Sequence, residues 1–236
     1  MKKRVFIITS IIIAIIAAAF TAFALSYYRA GPTASAALRS DDVVTVTETD
    51  YGWFFDGPSD DDAWIFYPGA NVEAASYSPL LHSIAENGMD VCLVEMPLHV
   101  AALDIGKAED IIAEYDYKRW YVGGHSHGGA MAAYWAADHG GDISGVILLA
   151  AYPTKPLDDH LTEILIYGSE DKIVDAQNIN EGRNYAPADF TEYVIPGGNH
   201  AQFGDYGPQK GDGDALIDRD TQIEETVEVI LSRVRP

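Results

Sequence analysis

Cysteine is nearly absent: Cys92 is the single one in 236 residues. No disulfide can form within the chain, so its stability must come from a packed core. Cys92 lies in the apolar run Val91-Cys92-Leu93-Val94, where a cysteine behaves as a small hydrophobe. Basic residues are scarce too. Lys and Arg total 15 against 36 Asp and Glu, and four of the 15 (Lys2, Lys3, Arg4 and Arg29) fall in the first 30 residues, which hold no acid. The rest of the chain therefore carries 11 basic against 36 acidic side chains, a net of −25. Such a surface repels phosphate backbones and anionic headgroups, which excludes nucleic acid as a partner. It serves solubility or adaptation to high salt. Internal repeats and low-complexity tracts are missing, and the apolar fraction of 48% is ordinary for a globular chain.

Long apolar runs are lacking, with one exception. Lys2-Lys3-Arg4 precede Val5 to Leu25, a run of 21 residues broken only by Thr9, Ser10 and Thr21. That is long enough to span a bilayer as a helix, and the basic flank sets its N-terminal side in the cytoplasm. Residues 1–30 thus read as a signal anchor, or as a signal peptide cleaved after Ala24 in Ala22-Phe23-Ala24. Either way the folded part is expected outside the cytoplasm, held at a membrane or secreted. Small residues and Gly31-Pro32 make 31–42 a linker, and 43–236 one domain.

Within that domain, strands and helices alternate. Strand patterns fall at Val43–Thr47, Trp53–Phe55, Trp64–Tyr67, Val91–Val94, Trp120–Val122, Val146–Ala151, Ile164–Tyr167 and Phe190–Ile195. Helices are expected after Ser78 as cap with Pro79 at its first position, over Ala108–Tyr115, and over Asp175–Arg183. A final helix capped by Asp220 presents Ile223, Val227, Ile230, Leu231 and Val234 on one face. Asp60-Asp61-Asp62 reads as a solvated hairpin loop. Apolar strands alternating with amphipathic helices predict an α/β fold with a mostly parallel sheet, whose active loops gather at the carboxyl ends of the strands.

One stretch carries chemistry: Gly123-Gly124-His125-Ser126-His127-Gly128-Gly129, between a strand pattern and a small-residue helix pattern. Gly124-x-Ser126-x-Gly128 in that context is a nucleophile elbow. A serine nucleophile needs a base, and the base an orienting carboxylate. His200 follows the last strand in Pro196-Gly197-Gly198-Asn199-His200, on a loop that can reach the serine. Asp171 follows another strand in Gly168-Ser169-Glu170-Asp171, with Glu170 as the alternative. Two N–H groups should face the oxyanion: that of His127, and that of Ala70 or Asn71 in Tyr67-Pro68-Gly69-Ala70-Asn71. His125 and His127 point apart around a tight turn and lack acidic company, so they read as pocket lining and no metal site is expected. Met96, His99 and Tyr152 lie at strand ends, where they would line a shallow substrate pocket. The loop Gln209–Asp214 reads as a solvated turn.

With these motifs in place the chain resembles the α/β-hydrolase superfamily over roughly residues 43 to 234. More narrowly it is similar to the compact bacterial group related to dienelactone hydrolases, with serine at position 126 where those enzymes carry cysteine. The order Ser126, Asp171, His200 matches the family's order of nucleophile, acid and histidine. The resemblance implies an eight-stranded, mostly parallel sheet and acyl-enzyme chemistry without a cofactor. Tyr152 to Thr162 leaves no room for a large lid, which suits short acyl esters or a bulky exterior substrate. Acyl transfer or peptide cleavage by the same serine stays open, as does a binding module without turnover.

Overall fold

Each of the eight strand patterns becomes a strand: six are extended by one to four residues, the first lies two residues later than its pattern, and the Val146–Ala151 pattern starts at Gly145 and ends at Leu149. The computed structural model describes residues 2–59 and 61–234. Its strands are β1 (Thr45–Thr49), β2 (Gly52–Asp56), β3 (Asp62–Tyr67), β4 (Asp90–Val94), β5 (Arg119–His125), β6 (Gly145–Leu149), β7 (Thr162–Gly168) and β8 (Asp189–Ile195). They form one sheet in the order β1-β2-β4-β3-β5-β6-β7-β8. β2 pairs antiparallel with β1 and β4, and every other pairing is parallel. β3, β4 and β6 are buried at every position, because helices cover both faces.

One face packs α3 (Ser78–Glu86) and α7 (Arg219–Val234) onto Trp64, Phe66, Leu93 and Ile147. The other packs α4 (Lys107–Glu114), α5 (Ser126–Ala136) and α6 (Ala176–Gly182) onto Ile65, Val122, Leu148 and Leu165. The apolar stripe of α7 packs inward as its spacing predicts, with Ile230 fully enclosed and Leu231 half-buried. The connection from β6 to β7, residues 150–161, holds neither helix nor strand, so no large lid covers the strand ends.

Residues 27–41, which take in most of the expected linker and the residues just before it, form a docked strap. Tyr28 pairs with Val72, its N–H donating to the Asn71 carbonyl at 2.7 Å and its own carbonyl accepting from Glu73 at 2.9 Å. α2 (Pro32–Ala37) then lies against α3, with Ala34 fully buried. The Ala34 N–H donates to Asp205 Oδ2 at 2.9 Å and its carbonyl accepts the Ser78 hydroxyl at 2.7 Å. His82 on α3 bonds the Ala37 carbonyl and Asp41. The small side chains that suggest flexibility are what let α2 approach α3 so closely.

Three local expectations change as well. Ser78 does not cap α3; its hydroxyl donates to the Ala34 and Ala75 carbonyls. The cap of α7 is Asp218, whose carboxylate accepts the Thr221 N–H at 2.8 Å, while Asp220 sits in the first turn. Asp62 is not solvated: it is buried at the start of β3 and holds the Arg119 guanidinium through two bonds. Asp60 lies outside the described residues.

The apolar N-terminal run lies in α1 (Lys2–Ala24), and Ile7, Ile11, Ile12, Ile15 and Ile16 along it are exposed. Among the described residues no helix is long and apolar enough to cross a membrane. The expected span Val5–Leu25 includes positions 5, 6, 19 and 23, whose side chains lie outside the described residues.

Candidate active site

The elbow is built by backbone geometry. β5 carries the chain to the centre of the sheet, and α5 starts at once with Ser126. To turn that sharply Ser126 adopts φ +52°, a left-handed conformation that costs a non-glycine residue about 1–3 kcal/mol. The neighbours must clear the way. A Cβ at Gly124, whose φ is +147°, would lie 2.0 Å from the Tyr67 carbonyl oxygen. One at Gly128 would lie 2.2 Å from the carbonyl oxygens of both Tyr67 and Pro68. The spaced glycines therefore let α5 seat its N-terminus directly on the loop after β3. There its first N–H groups lack helical partners and are free for an anion.

The other two triad candidates meet beyond β7 and β8. His200 Nδ1 lies 2.8 Å from Asp171 Oδ2, with both side chains essentially without solvent contact. The second oxygen of Asp171 accepts the N–H groups of Ile173 at 2.8 Å and Val174 at 2.9 Å, which fixes the carboxylate. Glu170 is turned elsewhere and accepts the Ser169 hydroxyl. With Nδ1 held by the acid, His200 presents Nε2, which is buried and makes no hydrogen bond among the described residues. Ser126 and His200 line the same cleft, of about 260 Å³, together with His127 and Tyr152.

The loop after β3 separates the two oxyanion alternatives. The Asn71 N–H donates to the His99 carbonyl at 2.9 Å, so it is engaged away from the serine. The Gly69 N–H donates to the Tyr77 hydroxyl at 3.1 Å. That leaves Ala70, half-buried between them, as the donor this loop can supply beside His127.

His125 does not line the cleft. It is buried beneath it, its Nδ1 2.8 Å from the Tyr77 hydroxyl and its ring 4.4 Å from that of His200. Because Tyr77 accepts from Gly69, its own proton is available to Nδ1 of a neutral His125. Burial first, and the neighbouring His200 second, hold the His125 pKa well below 6.5. His127 does face the cleft, and partial burial lowers its pKa as well.

Two expected pocket residues are not among the cleft's lining. Met96 is buried in the core between sheet and helices, because its strand-end side chain turns inward. His99 packs at a tilt against Tyr27 of the strap, ring centres 4.0 Å apart. In their place stand Ile173, Val174, Asp175 and Asn178, from the loop after β7 and the start of α6. The sequence pointed to that loop for the acid but not for the pocket wall; its position directly after the carboxyl end of a parallel strand is the signal that was available. Cys92 is fully buried, its thiol pushed up to about 12 chiefly by burial, and takes no part.

Solved structures with the same architecture exist at low identity. Est1E from Butyrivibrio proteoclasticus superposes with a TM-score of 0.58 at 12% identity, covering 83% of this chain and 100% of that one. A monoacylglycerol lipase from Paleococcus ferrophilus gives 0.59 at 14%, covering 75% and 97%. A dienelactone hydrolase from Anabaena variabilis gives 0.57 at 13%, covering 81% and 97%. These likenesses speak for the fold. Among curated proteins nothing matches. The sequence model of the alpha/beta hydrolase family matches residues 63–224, from the start of β3 into α7 and so across the elbow, Asp171 and His200. The chain belongs to the alpha/beta hydrolase family.

Proposed function

We propose that the chain is a serine hydrolase of carboxylic esters, acting through Ser126, His200 and Asp171. The observation that carries this is the buried His200–Asp171 hydrogen bond at 2.8 Å, with Nε2 of the same ring unpartnered and the ring sharing a cleft with Ser126. His200 takes the Ser126 proton as the hydroxyl attacks the acyl carbon, and Asp171 stabilises the imidazolium that forms. The Ala70 and His127 N–H groups hold the oxyanion, backed by the N-terminus of α5. His200 then protonates the leaving group, and water releases the acyl group by the reverse steps.

The cleft favours small acyl groups. Ala130, Ala150, Ala151 and Val174 make its apolar wall, and about 260 Å³ does not hold a long chain. Among the described residues no Lys or Arg lines it, and Asp175 does. Substrates with a free carboxylate near the scissile bond, dienelactones included, are therefore disfavoured. That one fold neighbour is named a monoacylglycerol lipase and another a dienelactone hydrolase is in keeping with acyl-ester chemistry on this scaffold.

The test is hydrolysis of p-nitrophenyl acetate and butyrate, with fluorophosphonate labelling, on a fragment beginning at Ser26 so that the docked strap is kept. Turnover and labelling should both disappear in Ser126→Ala, with a loss of at least about 10³-fold. A folded wild type that neither turns over nor labels would overturn the reading.

The same proposal sets the domain outside the cytoplasm, tethered to a membrane by α1. Its support is the run of exposed isoleucines on that helix and the basic triplet before it. Recovery of the intact chain in the soluble fraction, α1 uncleaved, would count against the tether.

A further inference from the structure

The loops that carry the acid and the histidine are joined by a third, the stretch around Asp212 that the sequence presents as a solvated turn. Asp212 is half-buried, and its carboxylate points into the protein. Oδ2 accepts the Ala201 N–H at 2.9 Å. Oδ1 accepts the Gly213 N–H at 2.8 Å and, in longer contacts, those of His200 at 3.3 Å and Lys172 at 3.4 Å. One carboxylate thus touches the peptide of His200, the residue after it, and the residue after Asp171. Its own loop is pinned by Asn199, whose side-chain amide donates to the Gly213 carbonyl at 2.8 Å.

The arrangement concerns the spacing of the triad. The His200–Asp171 hydrogen bond survives only if the two loops keep their separation to a few tenths of an ångström. Backbone bonds across the loops, Glu170 N–H to Gly198 O at 2.8 Å and Ser169 N–H to Ile195 O at 2.9 Å, fix them on the sheet side. At the outer ends, beyond Asp171 and His200 themselves, the Asp212 carboxylate supplies the link. An anion accepting several N–H groups holds more tightly than neutral acceptors would.

We propose that Asp212 is a positioning residue for the hydrolytic reaction, setting the register of His200 against Asp171 by binding the backbone beyond each. The inference rests on the Ser126–His200–Asp171 reading above. Asp212 is not among the residues lining the Ser126 cleft, so its loss should act on turnover and not on substrate binding.

The experiment compares wild type with Asp212→Ala, Asp212→Asn and, as a control in the same loop, Asp214→Asn. Steady-state hydrolysis of p-nitrophenyl acetate and the second-order rate of fluorophosphonate labelling of Ser126 are measured beside Tm. Misplacing a catalytic group by about 1 Å costs on the order of 10²-fold, so Asp212→Ala should lose roughly 30- to 100-fold in kcat and in labelling rate, with KM within about twofold. Asp212→Asn keeps the shape and one acceptor oxygen, and should lose about tenfold while melting close to wild type. Asp214→Asn should match wild type. Asp212→Asn with unchanged kcat and labelling would overturn the inference. So would an Asp212→Ala deficit that vanishes on cooling to where the variant is fully folded, or one carried by KM alone. A wild type without turnover or labelling would overturn the hydrolase reading and this inference together, whereas an active wild type with indifferent Asp212 variants would overturn this inference only.

Discussion

Ser126 and His200 reach the same cleft by opposite means. On the β5 side the chain is constrained by what it leaves out: side chains missing at Gly124 and Gly128 permit a left-handed Ser126 and a helix that begins against the β3 loop. On the β7–β8 side the constraint comes from what is added. Asp171, Ser169, Asp212, Asn199 and Gln222 each bind a backbone group in the loops around His200. The first kind of site is rigid because alternatives are sterically closed. The second is rigid only while its polar partners stay in place, since each buried N–H or C=O left alone costs about 1–3 kcal/mol.

If that contrast holds, the largest single effect belongs to the glycine side. Gly128→Ala puts a methyl group 2.2 Å from two carbonyl oxygens, in backbone that cannot swing aside as a side chain would. The expected loss is about 3 kcal/mol or more in stability, with α5 displaced from the β3 loop and esterase activity down by at least about 10²-fold. Urea unfolding and p-nitrophenyl acetate turnover measure both. Wild-type values for either would mean that the elbow is not sterically closed and that the distinction drawn here is wrong.

The polar side should give way in smaller, repairable steps. Gln222 on α7 is fully buried; its carbonyl oxygen accepts the Asn199 N–H at 3.0 Å and its amide donates to the Asn199 carbonyl at 2.9 Å. Gln222→Ala strands both groups next to His200, for about 2–4 kcal/mol and roughly tenfold in kcat. Gln222→Glu returns the acceptor without the donor and should fall between. Equal damage from the two would indicate that volume, not hydrogen bonding, holds the loop.

These two kinds of constraint also explain what could be read in advance. The elbow was legible because its demands fall on residues two apart in one stretch. The eight strands were legible because burial on both faces forces continuous apolar runs such as Val91–Val94 and Val146–Leu149. That Asp171 and His200 meet followed from their places after strands. What escaped were partnerships across long separations. Nothing near Asp212 in sequence signals that it binds the loop of His200, and nothing in the alanines of α2 signals that Ala34 is sealed between Asp205 and Ser78. His125 illustrates the same limit from within the motif. Its place beside the nucleophile suggested the pocket, yet it turns inward because Tyr77, 48 residues earlier, offers a hydroxyl beneath the elbow.

Tyr77 is therefore the point at which the two sides can be compared on equal terms. Its hydroxyl ties the end of β5 to the loop after β3 beneath the elbow, taking the Gly69 N–H at 3.1 Å and meeting His125 Nδ1 at 2.8 Å. Tyr77→Phe keeps the ring among Phe66, His125 and Tyr206 and removes only the hydroxyl. If steric closure governs the elbow, the cost stays near 1–2 kcal/mol, the price of two buried groups losing one partner. The reaction then slows only a few-fold, through a looser Ala70 beside the oxyanion. A loss in kcat as large as that of Gln222→Ala would place the elbow among the hydrogen-bonded sites, and backbone sterics would no longer account for why Ser126 is held so differently from His200.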